Sequence, residues 1–109
     1  MTRNRWASLG MGLLLSLPLV VQAGPGAARQ LELHHLLIQD CGSCHGMTLK
    51  GGLGPALLPT DLEGKPDGLL VNTILYGRAG TPMPPWEPML TREEAVWLVE
   101  QLRAGVSHE

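Results

Sequence analysis

Phenylalanine is absent from this chain, and the aromatic complement is three tryptophans and one tyrosine among 109 residues. A short chain buries a smaller share of its surface than a larger domain does. Without large aromatics it has little from which to build a core alone, so a staple or a bound group is expected at its centre. Cysteine is scarce as well, two residues at positions 41 and 44, which excludes a scaffold of several disulfides. Charged residues make up 17% of the chain with a formal net charge of −2, and no basic stripe or charge run is present, so nucleic acid is excluded as a partner. Apolar and polar residues nowhere alternate with a period of two, and no segment repeats. An all-α single domain follows.

A long uninterrupted apolar run is also missing. Leu9 to Val21 is broken by Gly10, Gly12, Ser16 and Pro18, short of the roughly 20 residues that span a bilayer. Arg3 and Arg5 precede it and Val21-Gln22-Ala23 closes it with small residues. This is the pattern of a secretory signal peptide over residues 1–23, leaving one domain over 24–109 outside the cytoplasm, in the periplasm, with no membrane anchor. Loss of the two leader arginines would lower the net charge from −2 by two, to −4.

What the chain does contain is Cys41-Gly42-Ser43-Cys44-His45, the spacing at which proteins attach a c-type haem. Each thiol can form a thioether to one vinyl group, and His45 follows where its imidazole can bind the iron. Two other uses of a CxxC pair fare worse. A zinc site needs two more ligands at motif spacing, and His34, His35 and His108 form no such pair. A thioredoxin-like dithiol follows a strand, whereas Leu31 to Asp40 reads as helix.

Three helices are expected. The first runs from Ala27 to about Asp40 with Leu33, Leu36 and Leu37 on one side. From Cys41 to Gly64 the density of Gly and Pro predicts a loop wrapping the cofactor. The second helix opens near Pro66, as a first helical residue, and stops at Gly77. The third is announced by Thr91 and Glu94 as a capping box, by Ala95, Leu98, Val99 and Leu102 at helical spacing, and by Gly105 after its end.

The iron's second axial site decides the chemistry, because a thioether there raises the potential and keeps small oxidants out. Met47 is tethered too close to His45. Met83 stands in Gly80-Thr81-Pro82-Met83-Pro84-Pro85-Trp86, where flanking prolines stiffen the backbone, and is the expected ligand, with Met89 as the fallback. His34 and His35 are expected at the surface, and His108 in solvent. Trp97 is expected to pack, and Trp86 either to pack or to offer its N–H to a haem propionate. Leu53, Leu57, Leu58 and Pro59 are candidates for an apolar rim, with core packing expected of half or more.

The order of CxxCH, Gly54-Pro55 and a late Met on a Pro-containing loop before a C-terminal helix resembles class I cytochrome c over nearly all of residues 24–109. That resemblance implies first and last helices crossing beside the haem, and a Pro55 carbonyl accepting the Nδ1 hydrogen of His45. The strings Cys41 to Met47, Gly51 to Leu57 and Gly80 to Trp86 are similar to the small cytochrome c-55X proteins of denitrifying bacteria. The similarity implies a monomeric, non-enzymatic carrier of single electrons between redox proteins. Its partners would be the cytochrome cd1-type nitrite reductase or the enzymes that mature its d1-type haem. Two rivals remain at this point: a haem-handling assembly protein, and an enzyme with an open iron, for which no motif positions a distal acid or base.

Overall fold

The computed structural model describes residues 12–19 and 24–108. The expected signal peptide lies mostly outside them; its residues 12–19 adopt no regular element and expose their leucines. No described helix is long and apolar enough to cross a membrane. The described residues form helices and loops without a strand, as the missing alternation requires.

Helix α1 covers Ala27–Leu36, continues through a π-helical turn at Leu37–Cys41 and ends as α2, Gly42–His45. The backbone is therefore helical through the CxxCH motif, which corrects the loop expected from Cys41. Two local features carry the helix on. Gly42 lets the following chain approach, since a Cβ there would meet Met47 Cα and Sδ at 3.4 Å. The Ser43 hydroxyl donates to the Asp40 carbonyl at 2.6 Å, in the widened turn. The stop comes at Gly46, with φ +91°, where a Cβ would lie 2.7 Å from the Gly51 carbonyl oxygen.

A second correction falls inside the same expected loop: Pro59–Leu62 is a 3₁₀ turn. The Asp61 carboxylate accepts the Leu58 N–H at 2.9 Å and closes the turn from outside. Helix α3, Asp67–Tyr76, starts one residue later than expected, because Pro66 has an extended ψ of 145° and serves as the cap. Its stop at Gly77, φ +69°, is where the sequence placed it. Helix α4, Arg92–Ala104, carries the expected capping box, with Glu94 N–H donating to Thr91 Oγ1 at 3.2 Å and Thr91 N–H donating to Glu94 Oε2 at 2.9 Å. Truncating such a cap costs on the order of 1 kcal/mol.

The core is aliphatic throughout. Leu33 and Leu37 from the first rod meet Val71 and Leu75 of α3 and Ala95, Leu98, Val99 and Leu102 of α4. Trp86 and Trp97 pack against its margin, half-buried. Between α1 and α4, Arg29 Nε donates to Glu94 Oε1 at 2.7 Å, and the His34 ring donates to the carbonyl of Ser107, in the segment after α4, at 3.0 Å. The first and last helices thus meet as the resemblance implied.

Hydrogen bonding from the Arg29 guanidinium holds the Glu94 carboxyl below its ordinary range, against the opposing effect of burial, with the Thr91 N–H adding to the depression. A depressed folded value contributes stability that is present above the unfolded value, about 4.3 for Glu, and is lost as pH falls through the folded one. Glu94→Gln should therefore lower the melting temperature near neutral pH, and the gap to the parent protein should close as the pH falls below about 4. Thermal melts across that range provide the check; a gap that stays constant with pH contradicts the pairing.

Candidate haem-binding site

The end of the first rod, the loop after it, one face of α3 and the loop before α4 enclose a cleft of about 810 Å³. Cofactor sites span roughly 300–1,000 Å³ and are mostly apolar with a few placed polar groups. Cys41, Cys44, His45, Pro55, Met83 and Trp86 all line it. Sequence positions 41 and 86 are thus brought to one cavity.

His45 is oriented by the loop that follows it. The ring Nδ1 donates to the Pro55 carbonyl at 2.7 Å, which puts the proton on Nδ1 and leaves Nε2 with a free lone pair. That loop is clamped to the motif by Gly54 N–H donating to the Cys44 carbonyl at 2.7 Å and Gly51 N–H donating to the His45 carbonyl at 2.8 Å. These bonds satisfy carbonyls that a helix end leaves without partners. Gly54 is required by contact: a Cβ there would lie 2.8 Å from His45 Cε1 and Nδ1. Gly54→Ala should tilt or displace the imidazole and cost on the order of 1–3 kcal/mol, the range for overpacking a tight site. A lower melting temperature together with a perturbed ferric spectrum is the expected pair of readings.

Cys41 and Cys44 are half-buried and form no disulfide with each other. Before attachment, burial pushes the Cys41 thiol up to about 11, with the Asp40 charge adding to it. Near neutral pH that thiol is un-ionised and a weak nucleophile.

The Met83 loop is pinned at both ends. Arg78 N–H donates to the Met83 carbonyl at 3.2 Å, and Trp86 and Glu87 N–H donate to Ile74 and Leu75 carbonyls at 3.0 Å each. Gly77 permits this approach, since a Cβ there would fall 2.6 Å from the Met83 carbonyl oxygen. Met47 and Met89 are 51% and 61% exposed and stand outside the cleft, so among the described methionines Met83 alone lines it. His34, His35 and His108 also lie outside it, as does Trp97. Of the four rim candidates, Leu53 and Leu57 line the cleft. Leu58 packs on the core instead, and Pro59 opens the 3₁₀ turn.

Sequence reasoning missed the α3 wall. Leu69, Leu70, Thr73 and Ile74 face the cleft while Val71 and Leu75 enter the core. A helix apolar on two sides is the signal that was there to read.

Two thiols, an imidazole with a free Nε2 and a thioether on one apolar cavity form a donor set that fits a haem of the c type. Comparison with known proteins agrees. Residues 28–101 match the family described as cytochrome c oxidase, cbb3-type, subunit III. Cytochrome c55X of Pseudomonas aeruginosa is 52% identical over 92% of this chain and 84% of its own length, and that of Stutzerimonas stutzeri 47% over 94% and 93%. This chain belongs to the cytochrome c55X family. A solved structure of the c-type cytochrome NirC matches with a TM-score of 0.72 and 59% identity over 73% of this chain and 94% of that one.

Membership bears out the resemblance to class I cytochrome c, the all-α fold and a covalently bound haem c as the cofactor. It makes the chain a cytochrome rather than an enzyme. A relative named as an enzyme, dihydro-heme d1 dehydrogenase of P. aeruginosa, is 37% identical over 72% of this chain but only 15% of its own length.

Proposed function

We propose that this c-type cytochrome carries single electrons between protein partners in the periplasm, after removal of residues 1–23, as a monomer built from residues 24–109. The observation that carries the proposal is the single cleft holding His45, with its Nδ1 bound to Pro55, and Met83 on a loop pinned at both ends. Cys41 and Cys44 would hold the haem by addition of each S–H across a vinyl group, a step that needs no net oxidant. His45 Nε2 and Met83 Sδ would bind the iron. The haem supplies reversible one-electron iron chemistry.

The chain's own residues then do three things. The Pro55 carbonyl fixes the His45 ring and raises its basicity. The tethered Met83 loop keeps the ligand in place in both oxidation states, which limits the rearrangement that accompanies each transfer. Leu53, Leu57 and the α3 wall exclude water, and Trp86 on the same cleft would offer its N–H to a haem propionate. Leu53, 75% exposed, sits where a redox partner can touch the cleft margin, and redox encounters bury a small area.

The family resemblance points to denitrification: donation to the cytochrome cd1-type nitrite reductase or to the maturation of its d1-type haem. A deletion strain separates the two. A pure donor leaves the reductase fully loaded but poorly reduced, and a maturation role leaves it short of d1-type haem. Unchanged loading and unchanged nitrite turnover would refute both and leave a general electron carrier. An enzyme with an open iron is disfavoured because Met83 stands on the cleft, where its thioether would close the iron to small oxidants.

A further inference from the structure

The described residues contain four arginines, and three of them are spent within the protein. Arg29 holds Glu32 and Glu94, Arg92 donates to Asn72 Oδ1 and Tyr76 Oη, and Arg103 ties Asp67 to the Leu62 and Lys65 carbonyls. Arg78 is different. Its side chain makes no hydrogen bond or ion pair among the described residues, and it lines the cleft.

The root of Arg78 is fixed even though its guanidinium is not engaged. Its N–H donates to the Met83 carbonyl at 3.2 Å, and its own carbonyl accepts from Thr81 N–H at 3.2 Å and Thr81 Oγ1 at 2.8 Å. The left-handed Gly77 before it sets the direction in which the chain leaves α3. A cation is thereby held at the exposed margin of the cleft, beside the loop that presents Met83. Lys65 also lines the cleft, but its ammonium donates one hydrogen bond to the Asp61 carbonyl at 2.6 Å, which holds it against the 3₁₀ turn.

A haem brings two carboxylates to a cavity whose other ionised side chains, besides Lys65, are acidic, Asp40 and Asp61. Moving a carboxylate out of bulk water towards an apolar wall is costly unless donors meet it, and a guanidinium meets it with paired charge-assisted bonds. We propose that Arg78 binds a haem carboxylate at the cleft margin, anchoring the free edge of a group otherwise held by Cys41 and Cys44, and keeping the reduction potential up. A positive charge near the iron disfavours the ferric state, which carries one more positive charge than the ferrous. Arg78 is thus a binding residue whose loss moves the potential without touching the axial ligands. The proposal rests on the haem placement given above.

The test uses purified holoprotein as the parent form and as Arg78→Gln, Arg78→Lys and Lys65→Gln. Two quantities are read: the midpoint potential, and the resonance Raman propionate-bending band, which reports hydrogen bonding to the carboxylate. The expected result is a shifted bending band and a lowered potential in Arg78→Gln, a potential largely restored in Arg78→Lys, and an unshifted bending band in Lys65→Gln. A bending band and potential unchanged in Arg78→Gln would overturn the assignment, as would an equal band shift in Lys65→Gln. Failure of the underlying reading shows separately, as a parent protein whose ferric spectrum lacks the weak sulfur-to-iron charge-transfer band.

Discussion

Met83→Ala should convert a closed haem into an open one. The ferrous form should bind carbon monoxide rapidly, the ferric sulfur-to-iron band should vanish, and the potential should fall by on the order of 0.1 V, within the roughly 0.8 V range over which axial ligands set haem potentials. The loop should survive the change, because its anchors are backbone bonds from Arg78, Trp86 and Glu87 that do not involve the thioether. Met89→Ala should do none of this, since Met89 is exposed and outside the cleft. Carbon monoxide binding with Met89→Ala and none with Met83→Ala would reassign the ligand.

The second large effect follows from an all-aliphatic core. Cys41→Ser with Cys44→Ser should leave little folded protein, measured as loss of helical circular dichroism and of haem absorbance in the periplasmic fraction. Without haem the apolar walls of a cleft of about 810 Å³ are left to water, and apolar burial is the main favourable term in a small domain whose whole stability is about 5–15 kcal/mol. A double-serine chain that remains cooperatively folded without haem would show that the aliphatic core suffices.

The legible parts of the fold are those whose signals are local. Helix α4 carries its start in Thr91 and Glu94, its buried face in four spaced apolar residues and its stop in Gly105, and all of these act as the sequence indicates. The CxxCH motif and the pairing of His45 with Pro55 belong to the same class, the second through family resemblance rather than through any periodicity. The end of the first rod was not legible. Residues 41–45 stay helical partly because Gly51 and Gly54 reach back to cap them, and bonds formed by a later loop leave no trace in a local reading.

Leu49 shows the limit most clearly. It has φ +58°, a left-handed conformation that costs a non-glycine residue roughly 1–2 kcal/mol. Burial to 2% exposure and two backbone bonds, Leu49 N–H to Gly46 and Leu57 N–H to Leu49, offset that cost. Each of these is a tertiary consequence of the loop closing over the motif. Arg29 and Glu94, 65 positions apart, form their pair for the same reason, after α1 and α4 have packed.

Acid–acetone extraction of the denatured, purified protein, followed by peptide mapping of the chain, bears most directly on the account. The pigment should stay with the polypeptide, and a single peptide containing both Cys41 and Cys44 should carry one haem through two thioethers. Colour that partitions into the organic phase, or free thiols at both cysteines in a protein that nonetheless shows a haem spectrum, would contradict it.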